Sequence, residues 1–332
     1  MVKVTILGAG VTGMMAAATL PRDYDITIVA EYLPGDYHTK EWASPYAGAI
    51  WMQLQGLRGL LRLAETNPES SVRQIQMTEI MDRGSKDDVW YAGKVPDFKF
   101  IDKSDLPPKA LYGMTYKTVV ITPTKFLDWM YQRLLARGIK FRRTKVASLG
   151  TLKGMGHDVL INAAGIGAQK LTDVMEANLV PWRLQTVVAK APPGYDRLFI
   201  RRGEMGYYST AFSRMDGTVY VGGALTSNDL DLTISEESRT RICKNAHLNQ
   251  PKVFPSPDPK DFDIIYDHVG IYATMDDKVG SVRCEREIVD GQWVVHAYGQ
   301  NAGGYVYSFG LAREVVRLTQ AYLDELPFES KL

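Results

Sequence analysis

A chain of 332 residues with 45% hydrophobic side chains can bury a large core, which excludes an intrinsically disordered protein and allows two domains or one composite body. Lys and Arg number 39 against 38 Asp and Glu, a net charge of +1 without a long basic run, so the electrostatic footprint of a nucleic-acid binder is missing. The two cysteines form no CxxC pair, the five histidines are scattered without ligand spacing, and the apolar stretches are of strand length. No disulfide framework, metal site, signal peptide or membrane span is therefore expected, and the reading is of a soluble intracellular protein with a small-molecule partner.

The chain opens on an apolar strand, Val4-Thr5-Ile6-Leu7, followed by Gly8-Ala9-Gly10-Val11-Thr12-Gly13 and a helix expected over Met14–Leu20. Gly8 permits a tight strand-to-helix turn. Gly10, with Val11 beside it, lets backbone approach a pyrophosphate, and Gly13 lets the helix pack hard on the strand. A pyrophosphate would then sit on the N–H groups at the positive end of that helix. A second apolar strand, Asp25–Ala30, ends at Glu31, whose carboxylate stands where a ribose hydroxyl pair is bound, so an unphosphorylated ribose is expected. A dinucleotide cofactor is the first expectation.

The stretch from Leu33 to Tyr46 is irregular, and the small-residue run from Ala43 through Ser44, Gly48 and Ala49 to Trp51 suits backbone passing close to a flat ligand. Helical spacing follows over Leu54–Thr66, and a helix capped by Thr124 runs to a glycine stop at Gly138. Lys140–Val146 reads as a strand returning to the nucleotide sheet. Asp158-Val159-Leu160-Ile161-Asn162 then breaks into Ala163-Ala164-Gly165-Ile166-Gly167, a buried strand, a small-residue turn and a helix. Alone, that could be an ordinary parallel strand with a tight turn. Beside the N-terminal glycines it points to FAD, because flavoproteins of the glutathione-reductase type carry such a strand in addition.

From Pro181 to about Phe262 the pattern alternates, with strands over Leu184–Lys190, Gly206–Phe212 and Val219–Leu225 and a hairpin turn at Asp216-Gly217. It reads as an antiparallel sheet walling a substrate cavity. The chain returns through His268-Val269-Gly270-Ile271-Tyr272 and a strand from Trp293 to Tyr298. Gly303-Gly304-Tyr305 and a helix over Arg313–Leu326 follow, with helix amides expected to face the cofactor and stabilise negative charge on a reduced flavin. The closing Ser330-Lys331-Leu332 reads as a peroxisomal import address, in a compartment that houses peroxide-forming oxidases.

Four stretches together resemble the D-amino-acid oxidase family, most closely its fungal peroxisomal branch: the Gly8–Gly13 motif, Ala43–Trp51, Ile161–Ala168, and His296–Tyr305 with Ser308 and Gly310 trailing it. The resemblance implies an α/β fold, with an FAD-binding Rossmann-type domain assembled from 1–50, 138–182 and 264–332. An interleaved antiparallel-sheet substrate domain would occupy 51–137 and 183–263. It implies FAD held by Gly8, Gly10, Val11, Gly13, Glu31, Ser44, Gly48, Ala49, Val146, Ala164, Gly165, Gly303, Gly304 and Tyr305, and no metal. The implied reaction moves a hydride from a C–H next to an amine nitrogen to flavin N5, giving an imine and, with O2, hydrogen peroxide. No side-chain acid or base is required.

The substrate pocket departs from the family. Where the family holds the substrate carboxylate with an arginine, this chain has Tyr272, and its two active-site tyrosines fall on Thr210 and Leu225. Tyr305 completes the expected pocket. A register shift would bring Tyr207 or Tyr208 to the first tyrosine position, and Arg201, Arg202, Arg214 and Arg283 are the arginines that could replace the missing clamp. The leading expectation is an oxidase of an atypical amine, imino acid or biosynthetic intermediate. The alternatives are an ordinary D-amino-acid oxidase with a displaced arginine, and an FAD-binding protein without redox turnover. Peroxisomal matrix, an import receptor as partner, and no nucleic acid or membrane complete the expectations, with a homodimer compatible.

Overall fold

The structure is a computed structural model describing residues 1–39, 41–48, 54–203, 207–276, 278–280 and 282–325, with backbone alone at 54 and 55. In chain order the first elements are β1 (Lys3–Leu7), α1 (Val11–Thr19), β2 (Asp25–Ala30), α2 (Leu54–Thr66), β3 (Val72–Met81), β4 (Lys99–Phe100), β5 (Tyr112–Ile121), α3 (Pro123–Ala136), β6 (Lys140–Arg143) and β7 (Val159–Asn162). There follow β8 (Leu179–Lys190), β9 (Leu198–Arg202), β10 (Tyr208–Ser213), β11 (Thr218–Ser227), α4 (Glu236–Asn249), β12 (Ile264–Met275), β13 (Arg283–Val289), β14 (Gln292–Tyr298) and α5 (Gly304–Glu325). Two compact units divide them: Met1–Ala47, Thr124–Trp182 and Ile271–Leu332 make one, Gly48–Pro123 and Arg183–Gly270 the other. Thr124 to Arg137 belong to the first unit, whereas the sequence reading put them with the substrate domain.

The first unit is built on a six-stranded sheet in the order β13-β14-β7-β1-β2-β6, parallel from β14 to β6, with β13 added antiparallel at one edge. Every residue of β7 is buried, and Val159–Ile161 form the apolar run expected of a parallel strand covered on both faces. The first helix begins at Val11, three residues before its expected start, because Gly10 already adopts the extended conformation of an N-cap. Its C-terminal end is closed from far away in sequence. Arg137 Nη1 donates to the Ala17 and Ala18 carbonyls at 2.8 and 2.9 Å, and Nη2 to those of Leu20 and Pro21, both at 2.7 Å. Those of Ala17, Ala18 and Leu20 are among the carbonyls that a helix end leaves without partners, and Pro21 directly follows the cap. The third helix starts at Pro123, so Thr124 lies inside it and is not its cap; proline suits the first helical position because its missing N–H is not needed there.

The second unit holds an eight-stranded sheet in the order β12-β8-β11-β10-β9-β3-β5-β4, its strands β8 and β12 continuing along the chain into the first unit's segments. The β10–β11 hairpin forms as read, turning at Gly217 with φ +81°, and β9–β10, β3–β5 and β4–β5 are also antiparallel, whereas β3–β9 is parallel. One face of β8, β10 and β11 buries Val187, Ala189, Ala211, Val219, Val221 and Ala224 against Ile242 and Ala246 of α4 and Phe254. That helix falls in the stretch read as strands alone. Its signal is Ser235, whose side chain accepts from the Ser238 amide at 3.1 Å, followed by Glu236 and Glu237 in the first turn.

Among the described residues, no helix is long and apolar enough to cross a membrane, and no group of three His, Cys, Asp or Glu is placed to hold a metal ion.

Candidate active site

Within the first unit, the C-terminal ends of β1, β2 and β7 converge on one edge of the parallel sheet, the edge where open α/β sheets take their ligands. Gly8 has φ +112°, and a Cβ there would stand 2.4 Å from the Ala163 carbonyl at the end of β7. A Cβ on Gly13 would lie 2.0 Å from the Gly8 carbonyl, so only glycine lets α1 rest on the turn that precedes it. At Gly10 the Cβ would meet Ser44 Oγ at 2.8 Å, and that hydroxyl accepts the Val11 amide at 3.0 Å. No acidic side chain lies in the first turn of α1, and Gly10 offers no side-chain cap. The positive end of the helix therefore opens onto a cradle lined by backbone and the Ser44 hydroxyl, which fits a pyrophosphate.

The helix that starts at Gly304 brings a second N-terminus to the same place, since a Cβ on Gly304 would be 3.5 Å from Val11 Cγ1. Gln300 donates through Nε2 to Thr12 Oγ1, tying the two approaches together. Gly303 lies against the Tyr307 ring, 2.0 Å from where a Cβ would be. Tyr305 is 4% exposed, its ring edge on Phe126 and its hydroxyl donating to the Ser44 carbonyl at 3.0 Å. Its phenol fixes the Ser44 turn. The helix begins nine residues earlier than Arg313 because Gly304 to Gly310, read as a glycine turn, is already helical.

Glu31 directly follows β2, and its carboxylate accepts from Lys145 Nζ at 2.8 Å and the Tyr32 hydroxyl at 3.3 Å. That bond holds the Lys145 ammonium above its ordinary pKa. Val146 is half-buried, packed on the core cluster that holds Leu7, Val29, Leu149 and Leu160. After β7, the Ala164 amide donates to Asn162 Oδ1 at 3.2 Å, Gly165 has φ +57°, and the expected helix is a short 3-10 turn over Gly165–Lys170. Asn162 Nδ2 is 3.1 Å from His296 Nδ1, and Glu287 lies 2.9 Å from His296 Nε2. Burial, and then the Arg283 charge, push His296 down to about 4, so it is a neutral structural ring at neutral pH. The sequence contains no local signal for this pair, 134 residues apart.

In the second unit, a Cβ on Gly48 would be in ordinary contact, 3.6 Å from the Tyr220 ring, while Ala49 and Trp51 lie outside the described residues. Thr210 is 1% exposed; its hydroxyl donates to the Phe199 carbonyl at 2.9 Å and it faces Gly222 across the hairpin. Leu225 is half-buried on β11. Tyr207 accepts from Asn249 Nδ2 at 2.8 Å, and Tyr208, whose pKa burial raises, stands opposite Arg202 in the β9–β10 pair. Tyr272 is half-buried on β12, in the part that belongs to the first unit.

The four arginines differ sharply. Arg201 is committed to Asp82 at 2.9 and 3.1 Å, to Asn249 at 3.2 Å and to the Pro108 carbonyl at 2.8 Å. Arg283 is committed to Glu176, Tyr298, Glu285 and Glu287 within 2.6–2.8 Å. Arg214 is buried, its guanidinium 4.9 Å from the Tyr220 ring centre and 5.7 Å from that of Phe212. Arg202 Nε lies 3.1 Å from Glu79 Oε1, with 29% of its side chain exposed.

Comparison with known proteins agrees with this arrangement. The chain is 29% identical to a D-amino-acid oxidase of Schizosaccharomyces pombe, covering 95% of both, and 27% identical to a D-aspartate oxidase of Talaromyces thermophilus, covering 96% of this chain and 95% of the relative. Its fold is shared with glycine oxidase from Geobacillus kaustophilus at a TM-score of 0.74 and 15% identity, covering 97% of this chain and 95% of that one. Iminodiacetate oxidase from Chelativorans sp. BNC1 gives a TM-score of 0.72 at 16% identity, covering 98% of both. The family profile described as FAD dependent oxidoreductase matches residues 3–318, and this chain therefore belongs to that family as an enzyme with FAD for its cofactor.

Proposed function

We propose that the protein is an oxidase that takes a hydride from a C–H next to an amine nitrogen and releases an imine, which water hydrolyses. The choice of substrate is supported by the resemblance, which puts the family's clamp positions on Tyr272, Leu225 and Thr210, and by the Thr210 hydroxyl, which is spent on the Phe199 carbonyl. Gly8, Gly10, Val11 and Gly13 would take the FAD pyrophosphate and Glu31 its ribose, with Ser44, Ala164, Gly165, Gly303 and Gly304 shaping the rest of the cradle. Bound FAD supplies a two-electron acceptor, which oxygen restores with release of hydrogen peroxide.

The protein's own part is orientation. Tyr272 offers a phenol where a guanidinium is usual and Leu225 an apolar surface, while Thr210 is buried with its hydroxyl on the Phe199 carbonyl. The hydride donor needs its nitrogen lone pair, so the substrate reacts as the unprotonated amine, and no side-chain base is needed. The relatives named D-amino-acid oxidase, D-aspartate oxidase, glycine oxidase and iminodiacetate oxidase support an amino or imino nitrogen. The substrate is an atypical amine, imino acid or biosynthetic intermediate. Ser330-Lys331-Leu332, outside the described residues, supports delivery to the peroxisomal matrix through the import receptor.

Peroxide release across a panel of amines, cyclic imino acids and D-amino acids tests this. Loss of a bidentate carboxylate clamp removes about 2–5 kcal/mol in a desolvated site, so D-alanine is expected to react at least about thirtyfold less efficiently than the best substrate. Efficient D-alanine turnover would show an ordinary D-amino-acid oxidase with its carboxylate held elsewhere.

A further inference from the structure

Asn162 and His296 are register partners across β7 and β14, both fully buried at the ends of largely apolar strands. Glu285 is the partner of His296 on β13, and Glu287, two residues further along, points to the same face. Four groups then stand in a row. Glu287 Oε2 is 2.9 Å from His296 Nε2, His296 Nδ1 is 3.1 Å from Asn162 Nδ2, and Asn162 Oδ1 accepts the Ala164 amide at 3.2 Å. Burying such a row is costly unless every member is satisfied, so it settles in one arrangement.

The two ends of the row fix that arrangement. At one end the Glu287 carboxylate, which accepts from Arg283 Nη2 at 2.6 Å, can only accept, so the ring carries its proton on Nε2 and Nδ1 presents a lone pair. At the other end the Ala164 amide can only donate, so it takes the Asn162 carbonyl oxygen and turns the Asn162 NH2 toward that lone pair. Both demands are met only by the neutral ring. A proton on Nδ1 would turn the Asn162 amide over and set its NH2 against the Ala164 N–H, donor to donor. The charged and titratable groups around the ring are Arg283, Glu285 and Glu287 on β13 and Tyr298 on β14, and burial with the Arg283 charge keeps it neutral.

Ala164 belongs to the turn that borders the nucleotide crevice. The Ala163 carbonyl is the group that a Cβ on Gly8 would strike, and the Ala163 amide donates to the Leu7 carbonyl at 2.9 Å, so this turn and the Gly8–Gly13 motif share one position. We propose that His296, with Glu287 behind it, is a positioning residue for the cofactor: it fixes the Asn162 amide, and through it the Ala164–Gly165 turn, in the orientation that receives FAD. The assignment rests on the placing of FAD in this crevice and deepens it.

The test is equilibrium release of FAD from the full-length holoprotein on dilution, followed by flavin fluorescence, with the His296 ring-nitrogen shifts read by NMR. Wild type is expected to carry the ring proton on Nε2 alone and to hold its Kd within about twofold between pH 6 and pH 8, since no linked group titrates there. Asn162→Ala leaves a buried amide without its acceptor and is expected to raise Kd by about tenfold, equally at both pH values. Asn162→Asp puts a second carboxylate on the ring, so only the doubly protonated ring offers a donor to each side. That carboxylate raises the ring's pKa; affinity is retained below it and lost as pH rises through it, because one lone pair must then face a carboxylate. The expected rise in Kd from pH 6 to pH 8 is at least about tenfold. Glu287→Leu is expected to let the ring tautomers mix and to weaken FAD several-fold, while Glu287→Gln, which still accepts, stays closer to wild type.

A wild-type ring protonated on Nδ1 overturns the proposal, as does a Kd of Asn162→Asp that follows pH no more than that of Asn162→Ala. So does Glu287→Leu with the tautomer and Kd of wild type. If these variants bind FAD unchanged and Gly13→Val does too, the crevice assignment falls as well; if Gly13→Val alone loses FAD, the crevice stands and only the role of His296 is refuted.

Discussion

Gly13→Val is expected to yield protein without FAD and without activity. The first side-chain carbon alone would sit 2.0 Å from the Gly8 carbonyl and 3.3 Å from Ile6 Cγ2, before the valine methyls are added. Neither neighbour can step aside: the carbonyl belongs to the turn itself, and Ile6 is fully buried in β1. The helix must lift from the strand, moving its N-terminal amides off the pyrophosphate position at a cost beyond the usual 1–3 kcal/mol or so of an overpacked core. Gly10→Val meets the Ser44 hydroxyl at 2.8 Å and sets a side chain where backbone approaches the pyrophosphate, so it too is expected to lose flavin, with less damage to the fold. The ratio of flavin to protein absorbance in the purified variants, with circular dichroism to confirm folding, measures both. Stoichiometric FAD in Gly13→Val would refute the crevice.

Cellular address is expected to change all or nothing. A fluorescent fusion placed ahead of the chain, leaving Ser330-Lys331-Leu332 free, is expected in peroxisomes, while the same fusion capped beyond Leu332 is expected to remain in the cytosol, because the receptor reads a free terminus. Identical distribution of the two fusions would refute the address.

What the sequence made legible was local. The strand, glycine turn, helix and second strand of the N-terminal crevice can be read because each glycine's task is set by neighbours a few residues away, and β2 and α2 keep their expected bounds. The α4 helix escaped notice because its charged, exposed composition hides a narrow buried stripe of Ile242, Cys243 and Ala246. The site's supports were unreadable for a different reason. Arg137 closing α1, Gln300 reaching Thr12 and Tyr305 holding Ser44 join residues more than a hundred positions apart, and no spacing rule connects them. The same holds for the four candidate arginines, which stand on equal terms in the sequence: the carboxylates that hold Arg201 and Arg283 lie 119 and 107 residues away.

The central claim is that this chain moves a hydride from an amine-bearing carbon to its FAD. The most direct measurement is the flavin absorbance of the purified holoprotein, without oxygen, as candidate amines, imino acids and carboxylate-bearing amines are added one at a time. Bleaching by at least one of them, with recovery and one equivalent of hydrogen peroxide per flavin when air is admitted, is the predicted result. A flavin that dithionite reduces but no amine does, while an alcohol or hydroxy acid bleaches it, would contradict the account.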